Sequence, residues 1–342
     1  MRFEYFNETL TEVPKLSVDG LVENAVHFSH WAGNLTDSSV KADTSTEIAL
    51  NVIESTNREE LTKGIDLVTN NHFDTDGLLS VWALLSGPPA SELRQEIIPA
   101  AEASDFSEFP NKNAVRASIV IQGSEFTVSE DGVSSPLAIE LNGGLPVTQQ
   151  RAYELLLPEV RNVFLNLSRY EALWRDDWAR IETALNSFAT GLSRVTEYND
   201  SGLSLVTMDA TVYSDIGFKP TCHLAPYTAV AHNARGKLFL IAAEVRSGWS
   251  YRVDYPYYSW AETVVRPRIR RYDFSELIAN LNLFESEKAG GRNLTGFWRA
   301  DHSGLTSAIN LVSEPGEPTA SRLDPLFVAG LFDQTLRTLQ HG

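Results

Sequence analysis

The stretch from Ile65 to Leu85 constrains the fold most, because it joins three local patterns without a gap. Apolar residues at 65, 67 and 68 predict a short buried strand, and those from Leu78 onward recur at helical spacing. A polar turn, Asn70–Gly77, separates them. A strand, a polar loop and a helix in this order form the repeating unit of a parallel α/β sheet. The stretch therefore predicts an α/β fold for the N-terminal part of the chain.

The polar turn carries His72, Asp74 and Asp76 in an H-x-D-x-D pattern. Alternate side chains of an extended loop project to the same side, so an imidazole and two carboxylates are expected to converge. Crowded carboxylates repel each other unless a cation lies between them. Oxygen ligands with one histidine suit Mn²⁺, Mg²⁺ or Zn²⁺, which predicts a divalent metal site. The alternative is that Asp74 or Asp76 only caps the helix, with His72 on the surface.

Three more residues are candidates for the same site. Leu21–Phe28 predicts a strand, and a Thr44–Glu47 capping box predicts the helix that follows it. Sites in open α/β sheets form beyond the carboxyl ends of the strands, so His30, in the loop between them, is a predicted metal ligand. Asp105 is a further predicted ligand, with a solvated acid as the alternative. Asp43 stays open between a ligand and a helix cap.

The stretch resembles motif I of the DHH phosphoesterases, D/H-x-D-x-D-G-x-x-S, which stands here as His72, Asp74, Asp76, Gly77 and Ser80. In that superfamily the acids bind a pair of metal ions, usually manganese, that hydrolyse phosphodiester or pyrophosphate bonds. The resemblance implies that the first three residues are catalytic. It also implies manganese as the first candidate metal, with magnesium, zinc and iron as alternatives.

The first strand–loop–helix unit resembles the third motif of the same superfamily, where a strand ends in Asp-His-His. Here Ser29-His30 stands at that position and precedes motif I, which implies a circular permutation with a modified dyad. The SHW…DTSTE and HFD-x-DG stretches also resemble those of a bacterial family whose domain has no known function.

Charge reverses locally at Arg266, Arg268 and Arg270 in the segment VVRPRIRR. On a strand these alternate residues would share one face, and guanidinium groups bind phosphate or carboxylate through paired hydrogen bonds. Arg266 and Arg268 are therefore predicted to bind an anionic substrate. Pairing with acids of the same chain is the alternative.

A Gly-rich segment, residues 289–304, contains Arg292, Arg299 and His302. It resembles the C-terminal substrate domain of the DHH superfamily, in which a GGGH loop and a basic residue hold the substrate phosphate. The GGGH itself is absent here. The resemblance implies that these three residues bind the substrate.

Other segments complete the predicted organisation. Residues 1–20 are predicted to be an irregular lead-in, Arg116–Gln122 a buried strand, and Glu125–Val128 with Leu137–Leu141 two further strands. At 342 residues the chain is long enough for two domains. We predict a parallel-sheet α/β metal-site domain over residues 1–195 and a smaller α+β substrate-binding domain over residues 196–342.

Composition limits the partners. A net charge of −17 argues against binding to duplex nucleic acid, which requires many cations. The single cysteine, Cys222, excludes an internal disulfide and fits a cytoplasmic location. The N-terminus lacks the pattern of a signal peptide, and no apolar run reaches about 18 residues, so no membrane span is expected. The helix-like tail after Ala320 is predicted to pack on the core or on a second copy in a homodimer.

The sequence thus predicts a metal-dependent, phosphoesterase-like hydrolase of a small anionic or phosphorylated substrate. Two alternatives stay open. One is a metal-dependent enzyme for another bond or for a biosynthetic tailoring step. The other is a protein that binds an anionic ligand without catalysis.

Overall fold

The computed structural model describes residues 1–124, 132–209, 227–290, 296–302, 304–314, 316 and 319–341. The chain forms two compact units. Met1–Ala179 and Trp260–Arg268 make up the first, and Arg180–Ser259 and Ile269–Gly342 the second. The first carries a four-stranded parallel sheet, and the second carries a six-stranded mixed sheet. The predicted fold class, a parallel α/β part followed by a smaller α+β part, is confirmed.

The sheet of the first unit has the strand order β1-β4-β2-β3. The strands are β1 (Arg2–Phe3), β2 (Lys15–Val18), β3 (Ala25–Phe28) and β4 (Leu67–Thr69). The helices among its described residues are α1 (Ser45–Glu54), α2 (Arg58–Thr62), α3 (Thr75–Ser86), α4 (Arg94–Asp105), α5 (Lys112–Gln122), α6 (Pro136–Leu141), α7 (Gln149–Leu156), α8 (Val160–Leu165) and α9 (Glu171–Ala189), the last of which continues into the second unit. Short 3₁₀ helices lie at Glu8–Leu10, Pro88–Leu93 and Leu167–Tyr170.

Strands β2 and β4 form the centre of this sheet and are buried along their whole length. All pairings are parallel, so every strand ends at the same edge. The prediction that residues 1–20 are irregular was wrong, because β1 and β2 lie there. With only two and four residues, these strands are too short to produce a clear alternating pattern.

Helices α1 and α3 begin at this carboxyl edge, and side-chain caps fix where they start. The Thr44 hydroxyl accepts a hydrogen bond from the Glu47 N–H at 3.3 Å, which confirms the predicted cap of α1. Asp74 Oδ1 accepts a hydrogen bond from the Gly77 N–H at 2.7 Å and so caps α3. Each cap satisfies a backbone donor that the helix leaves free.

Two predicted strands are helices. Arg116–Gln122 lies in α5, which begins after an Asn111 cap and packs against α4. Leu137–Leu141 lies in α6, capped by Ser135. The β-branched run of α5 favours a strand locally, but burial of its apolar face against α4 outweighs this weak preference. The predicted strand Glu125–Val128 lies outside the described residues.

The sheet of the second unit has the order β5-β6-β7-β8-β10-β9, in which only β6 and β7 run parallel. Its strands are β5 (Arg194–Tyr198), β6 (Leu203–Asp209), β7 (Leu238–Val245), β8 (Gly248–Asp254), β9 (Phe297–Ala300) and β10 (Ser307–Val312). Its described helices are α10 (Tyr227–Asn233), α11 (Ser275–Ala289) and α12 (Pro325–His341). Trp298 is buried in its core with apolar residues of β7, β8, α11 and α12. None of the helices described in this chain has the length and apolar character that crossing a membrane requires.

Candidate metal centre

Among the residues that the structure describes, six side chains that can bind a metal meet at the carboxyl edge of the parallel sheet. Asp19 follows β2, His30 follows β3, His72 and Asp74 lie in the turn after β4, and Asp76 lies in the first turn of α3. The sixth is the last residue of α4. They form two clusters that share one residue: Asp19, His30, Asp76 and Asp105 in the inner cluster, and Asp19, His72 and Asp74 in the outer cluster. Within each cluster the candidate ligand atoms lie within 4.8 Å of one another.

The inner cluster is buried from solvent. His30 Nε2 lies 3.2 Å from Asp105 Oδ2, 3.4 Å from Asp19 Oδ1 and 3.7 Å from Asp76 Oδ2. Three carboxylates around one imidazole nitrogen form an oxygen-rich set with one nitrogen, which suits a divalent cation.

The tautomer of His30 follows from its other nitrogen. His30 Nδ1 lies 2.6 Å from the backbone carbonyl oxygen of Asp43. A carbonyl oxygen only accepts, so Nδ1 carries a hydrogen and donates it. Nε2 is fully buried and forms no hydrogen bond with any described residue. A neutral His30 would therefore direct the Nε2 lone pair towards the three carboxylates, as in histidines that ligate a metal through one nitrogen and are oriented through the other.

The outer cluster is partly open to solvent. His72 Nε2 lies 2.9 Å from Asp19 Oδ2 and 3.0 Å from Asp74 Oδ2. The side chains of His72 and Asp74 are 23% and 27% exposed. Asp19 thus directs Oδ1 towards the inner cluster and Oδ2 towards the outer one, so that one carboxylate belongs to both clusters.

The pKa shifts in the two clusters reflect the crowding of their carboxyl groups. Burial and then the charges of neighbouring carboxylates raise the pKa of Asp105 to about 7, and they also raise the pKa of Asp76. Burial alone would lower the pKa of each histidine, but the carboxylates outweigh it and raise the pKa of His72 to about 12 and that of His30 well above its usual value. Burial would raise the pKa of Asp19, but the two histidines hold it below its usual range.

Burial and the crowding of charge thus disfavour the fully ionised state of the Asp76 and Asp105 carboxyl groups when no metal is bound. Two divalent ions carry the charge that balances the four aspartates of the clusters. Metal binding would then leave both imidazoles neutral and release their protons. The donor set and the charge of the two clusters therefore suit divalent metal.

Gly77 allows the start of α3 to approach the centre closely. A β-carbon at this position would lie 2.5 Å from Asn70 Nδ2, 2.8 Å from Tyr153 Oη and 3.1 Å from Asp19 Oδ2. Asn70 and Tyr153 are hydrogen-bonded to each other at 2.9 Å, and the Tyr153 hydroxyl also donates to the His72 carbonyl oxygen, so neither can move freely.

We expect Gly77→Ala to lower the free energy of unfolding by about 1–3 kcal/mol, the usual cost of overpacking, even though alanine favours a helix by about 1 kcal/mol. Urea unfolding followed by circular dichroism measures this. Gly330→Ala is the matched control, because Gly330 is an exposed helical glycine whose β-carbon would contact nothing within 4 Å. This control should gain stability. An equal gain for Gly77→Ala would contradict the close packing described here.

The outcome for the predicted substrate-binding arginines differs from the outcome for the predicted metal ligands. Arg266 does not lie on a strand. Its guanidinium group donates to Asp43 Oδ2 at 2.8 Å and to Glu102 and Glu108 at 2.9 Å. The group is thus neutralised by three acids and not available for a substrate, which corresponds to the alternative of pairing within the chain.

The remaining predicted substrate residues are dispersed. Arg268 and Arg299 are exposed, and Arg299 lies on β9. His302 lines a cleft of about 400 Å³ in the second unit, together with Arg271. Arg292 lies outside the described residues.

Asp19 is the one cluster residue that the sequence analysis missed. It follows the four-residue strand β2 and precedes Gly20, with a φ of 57°. The Asp-Gly pair in KLSVDG is the only local signal, and it indicates a turn as readily as a site. Asp43, left open between ligand and cap, belongs to neither cluster and does not cap α1.

Comparison with known proteins assigns this chain to a family but does not assign it an activity. The profile of a family of unknown function, DUF6687, matches residues 1–316. No curated protein matches the chain. Neither finding supports membership of the DHH superfamily, and the resemblance to a family of unknown function agrees with the match.

Proposed function

We propose that this chain, which belongs to the DUF6687 family of unknown function, is a metal-dependent hydrolase of a small phosphorylated substrate. One observation carries the proposal: the Asp19 carboxylate is shared between two clusters, each of which has a histidine and at least one further aspartate. Paired divalent ions are typical of the active sites of phosphatases and nucleases. The likeness of His72, Asp74 and Asp76 to motif I of the DHH phosphoesterases points the same way.

The inner and outer clusters have different roles in the proposed reaction. A divalent metal held by these residues would supply a water of lowered pKa and would polarise the phosphoryl oxygen. Asp76, Asp105 and His30 enclose the inner side, where four protein ligands leave little room for solvent. His72 and Asp74 hold the outer side, where partial exposure gives access to water and substrate. We therefore place the reaction on the side of His72 and Asp74.

Manganese is the metal that we propose. Two histidines among four carboxylates make the donor set richer in nitrogen than Mg²⁺ prefers, because that ion favours oxygen ligands and water. Zn²⁺ and Fe²⁺ accept the same ligands, and they are the alternatives that metal analysis would distinguish.

The cleft in the second unit is our candidate for a separate anion-binding position. Besides His302 it contains Arg271, whose Nη2 donates to Ser259 Oγ at 3.0 Å and to the Leu305 carbonyl oxygen at 2.7 Å. The guanidinium group stacks 4.2 Å from the centre of the Tyr255 ring. Within the described part of the chain, no carboxylate lies at ion-pair distance from Arg271. An exposed guanidinium that is fixed by two hydrogen bonds and a ring contact favours an anionic ligand. Roles for Arg268 and Arg299 stay predictions.

The test compares the wild-type protein with Asp74→Asn, assayed with Mn²⁺ on nucleotides and pyrophosphate. Asparagine caps helices as well as aspartate does, so α3 keeps its start while the cluster loses a charged ligand. We expect the wild-type protein to hydrolyse a substrate of this class and the variant to lose more than about 100-fold in kcat/KM, above the usual effect of changes around a metal ligand.

Asp66→Asn is the control, because Asp66 is an exposed acid just before β4 and should not affect activity. Equal activity in the wild-type protein and Asp74→Asn would overturn the proposal. Stoichiometric metal without hydrolysis of any phosphorylated substrate would overturn the phosphoesterase assignment while keeping the metal centre.

A further inference from the structure

Three of the candidate metal ligands are held by one short segment, residues 43–46, at the start of α1. The carboxylate of Asp76 accepts hydrogen bonds from the backbone N–H groups of Ser45 and Thr46, both at 2.7 Å. The Ser45 hydroxyl donates to Asp19 Oδ1 at 3.0 Å. The preceding residue, Asp43, accepts the hydrogen bond from His30 Nδ1 at its backbone carbonyl oxygen. The segment thus orients most of the inner cluster while providing no candidate ligand itself.

The side chain of Asp43 fastens this segment to another part of the chain. Asp43 Oδ1 accepts hydrogen bonds from the backbone N–H groups of Val264 and Val265, the second at 2.8 Å. Asp43 Oδ2 accepts from the Arg266 N–H at 3.0 Å and from its guanidinium group at 2.8 Å. Asp43 is only 3% exposed, so four donors on one buried carboxylate form a strong, desolvated attachment.

The attached residues, 262–266, lie in the part of the chain that returns to the first unit and are called the return segment here. Its other end contacts the His30 loop. The Glu262 N–H donates to the His30 carbonyl oxygen at 2.7 Å. The Glu262 carboxylate accepts from the Gly33 N–H at 3.0 Å and from Asn34 Nδ2 at 2.9 Å. The return segment therefore contacts the His30 loop at one end and residues 43–46 at the other.

We infer that Asp43 is a positioning residue for the inner metal site, which it serves by anchoring residues 43–46 to the return segment. Asp43 fixes its own carbonyl oxygen, and through it the direction of His30 Nε2. The same anchor fixes the two N–H groups that hold Asp76. Partners of this kind, which act on a ligand rather than on the metal, typically change affinity by about 10–100-fold. This inference rests on the proposed metal centre.

The test is Asp43→Asn, with Co²⁺ as a spectroscopic probe and Mn²⁺ in calorimetry. Asparagine keeps one oxygen but presents an amide NH₂ to donors of the return segment, so the attachment is weakened without a change of size. We expect the wild-type protein to bind two equivalents of metal. In the variant, one equivalent should bind about 10–100-fold more weakly with an altered Co²⁺ spectrum, while the other is unchanged.

Asp37→Asn is the matched control, because Asp37 is exposed and its carboxylate accepts hydrogen bonds only from Ser39 within the same loop. Ser45→Ala is a second variant in case Asp43→Asn fails to fold, since it removes only the hydroxyl that orients Asp19. It should weaken metal binding with little change in thermal stability. Wild-type affinities in both variants would overturn the positioning role. A wild-type protein that binds no metal would instead overturn the proposed function.

Discussion

Asp19→Asn is expected to remove metal from both positions of the centre and to lower metal-dependent hydrolysis by more than about 100-fold. Asp19 is the only residue common to the two clusters, and it directs one oxygen towards each. Asparagine keeps a single oxygen, and its nitrogen does not bind a metal ion. The change also removes one of the four charges that balance two divalent ions. Elemental analysis of the purified protein and kcat/KM with Mn²⁺ measure both effects.

The asparagine variant is preferable to alanine because of the backbone. Asp19 has a φ of 57°, in the left-handed region where asparagine and aspartate are tolerated better than alanine. Glu23→Gln is the control, because Glu23 is exposed and belongs to neither cluster. Asp19→Asn with a full complement of metal would show that the carboxylate does not bridge two ions.

Trp298→Ala is expected to lower the free energy of unfolding by about 3–5 kcal/mol, the range for truncating a buried tryptophan. Trp298 is 1% exposed in the core of the second unit, with the ring of Tyr251 at 5.0 Å. Its Nε1 donates to Glu285 Oε1 at 3.1 Å. The variant therefore leaves a cavity and takes one donor from a buried carboxylate. Urea unfolding followed by far-UV circular dichroism measures the loss.

Phe297→Ala is the neighbouring control for this experiment. Phe297 precedes Trp298 on β9 but is 39% exposed, since successive residues of a strand face opposite sides. Its truncation should cost much less than that of Trp298. Metal content should be unchanged in Trp298→Ala, because every cluster residue lies in the first unit. Similar losses for the two variants would contradict the placement of Trp298 in the core.

The local sequence contained enough information for part of the site. The spacing of His72, Asp74 and Asp76 predicted that all three converge on one ion. Only His72 and Asp74, in the turn between β4 and α3, share a cluster, whereas Asp76, in the first turn of α3, joins the inner cluster. His30 followed from the expectation that strand ends share an edge, and Asp105 from the expectation that a helix returns a side chain to that edge. The structure brings both into the inner cluster. Asp74 combines the two interpretations that the sequence left open, because one oxygen caps α3 and the other faces His72.

Some features depended on contacts between distant parts of the chain. The sequence around Arg266 predicts a basic strand face. In the structure, however, its guanidinium group donates hydrogen bonds to three acids that are far away in sequence: Asp43, Glu102 and Glu108. The β-branched residues of α5 predicted a strand, but packing against α4 favours a helix. Local patterns report which residues are apolar or charged, and they do not report which partners a fold will provide.

By itself, then, the sequence determined the α/β class, the cap of α1, and the pair of ligands His72 and Asp74 on a single turn, because each depends on neighbours within a few residues. Only the tertiary structure decided that Asp19 joins His30 and His72, from which it is separated by up to 53 positions. Parallel pairing of β2 between β3 and β4 sets this contact. Side chains from three strand ends meet at one edge because the hydrogen-bonded sheet orders its strands differently from the chain.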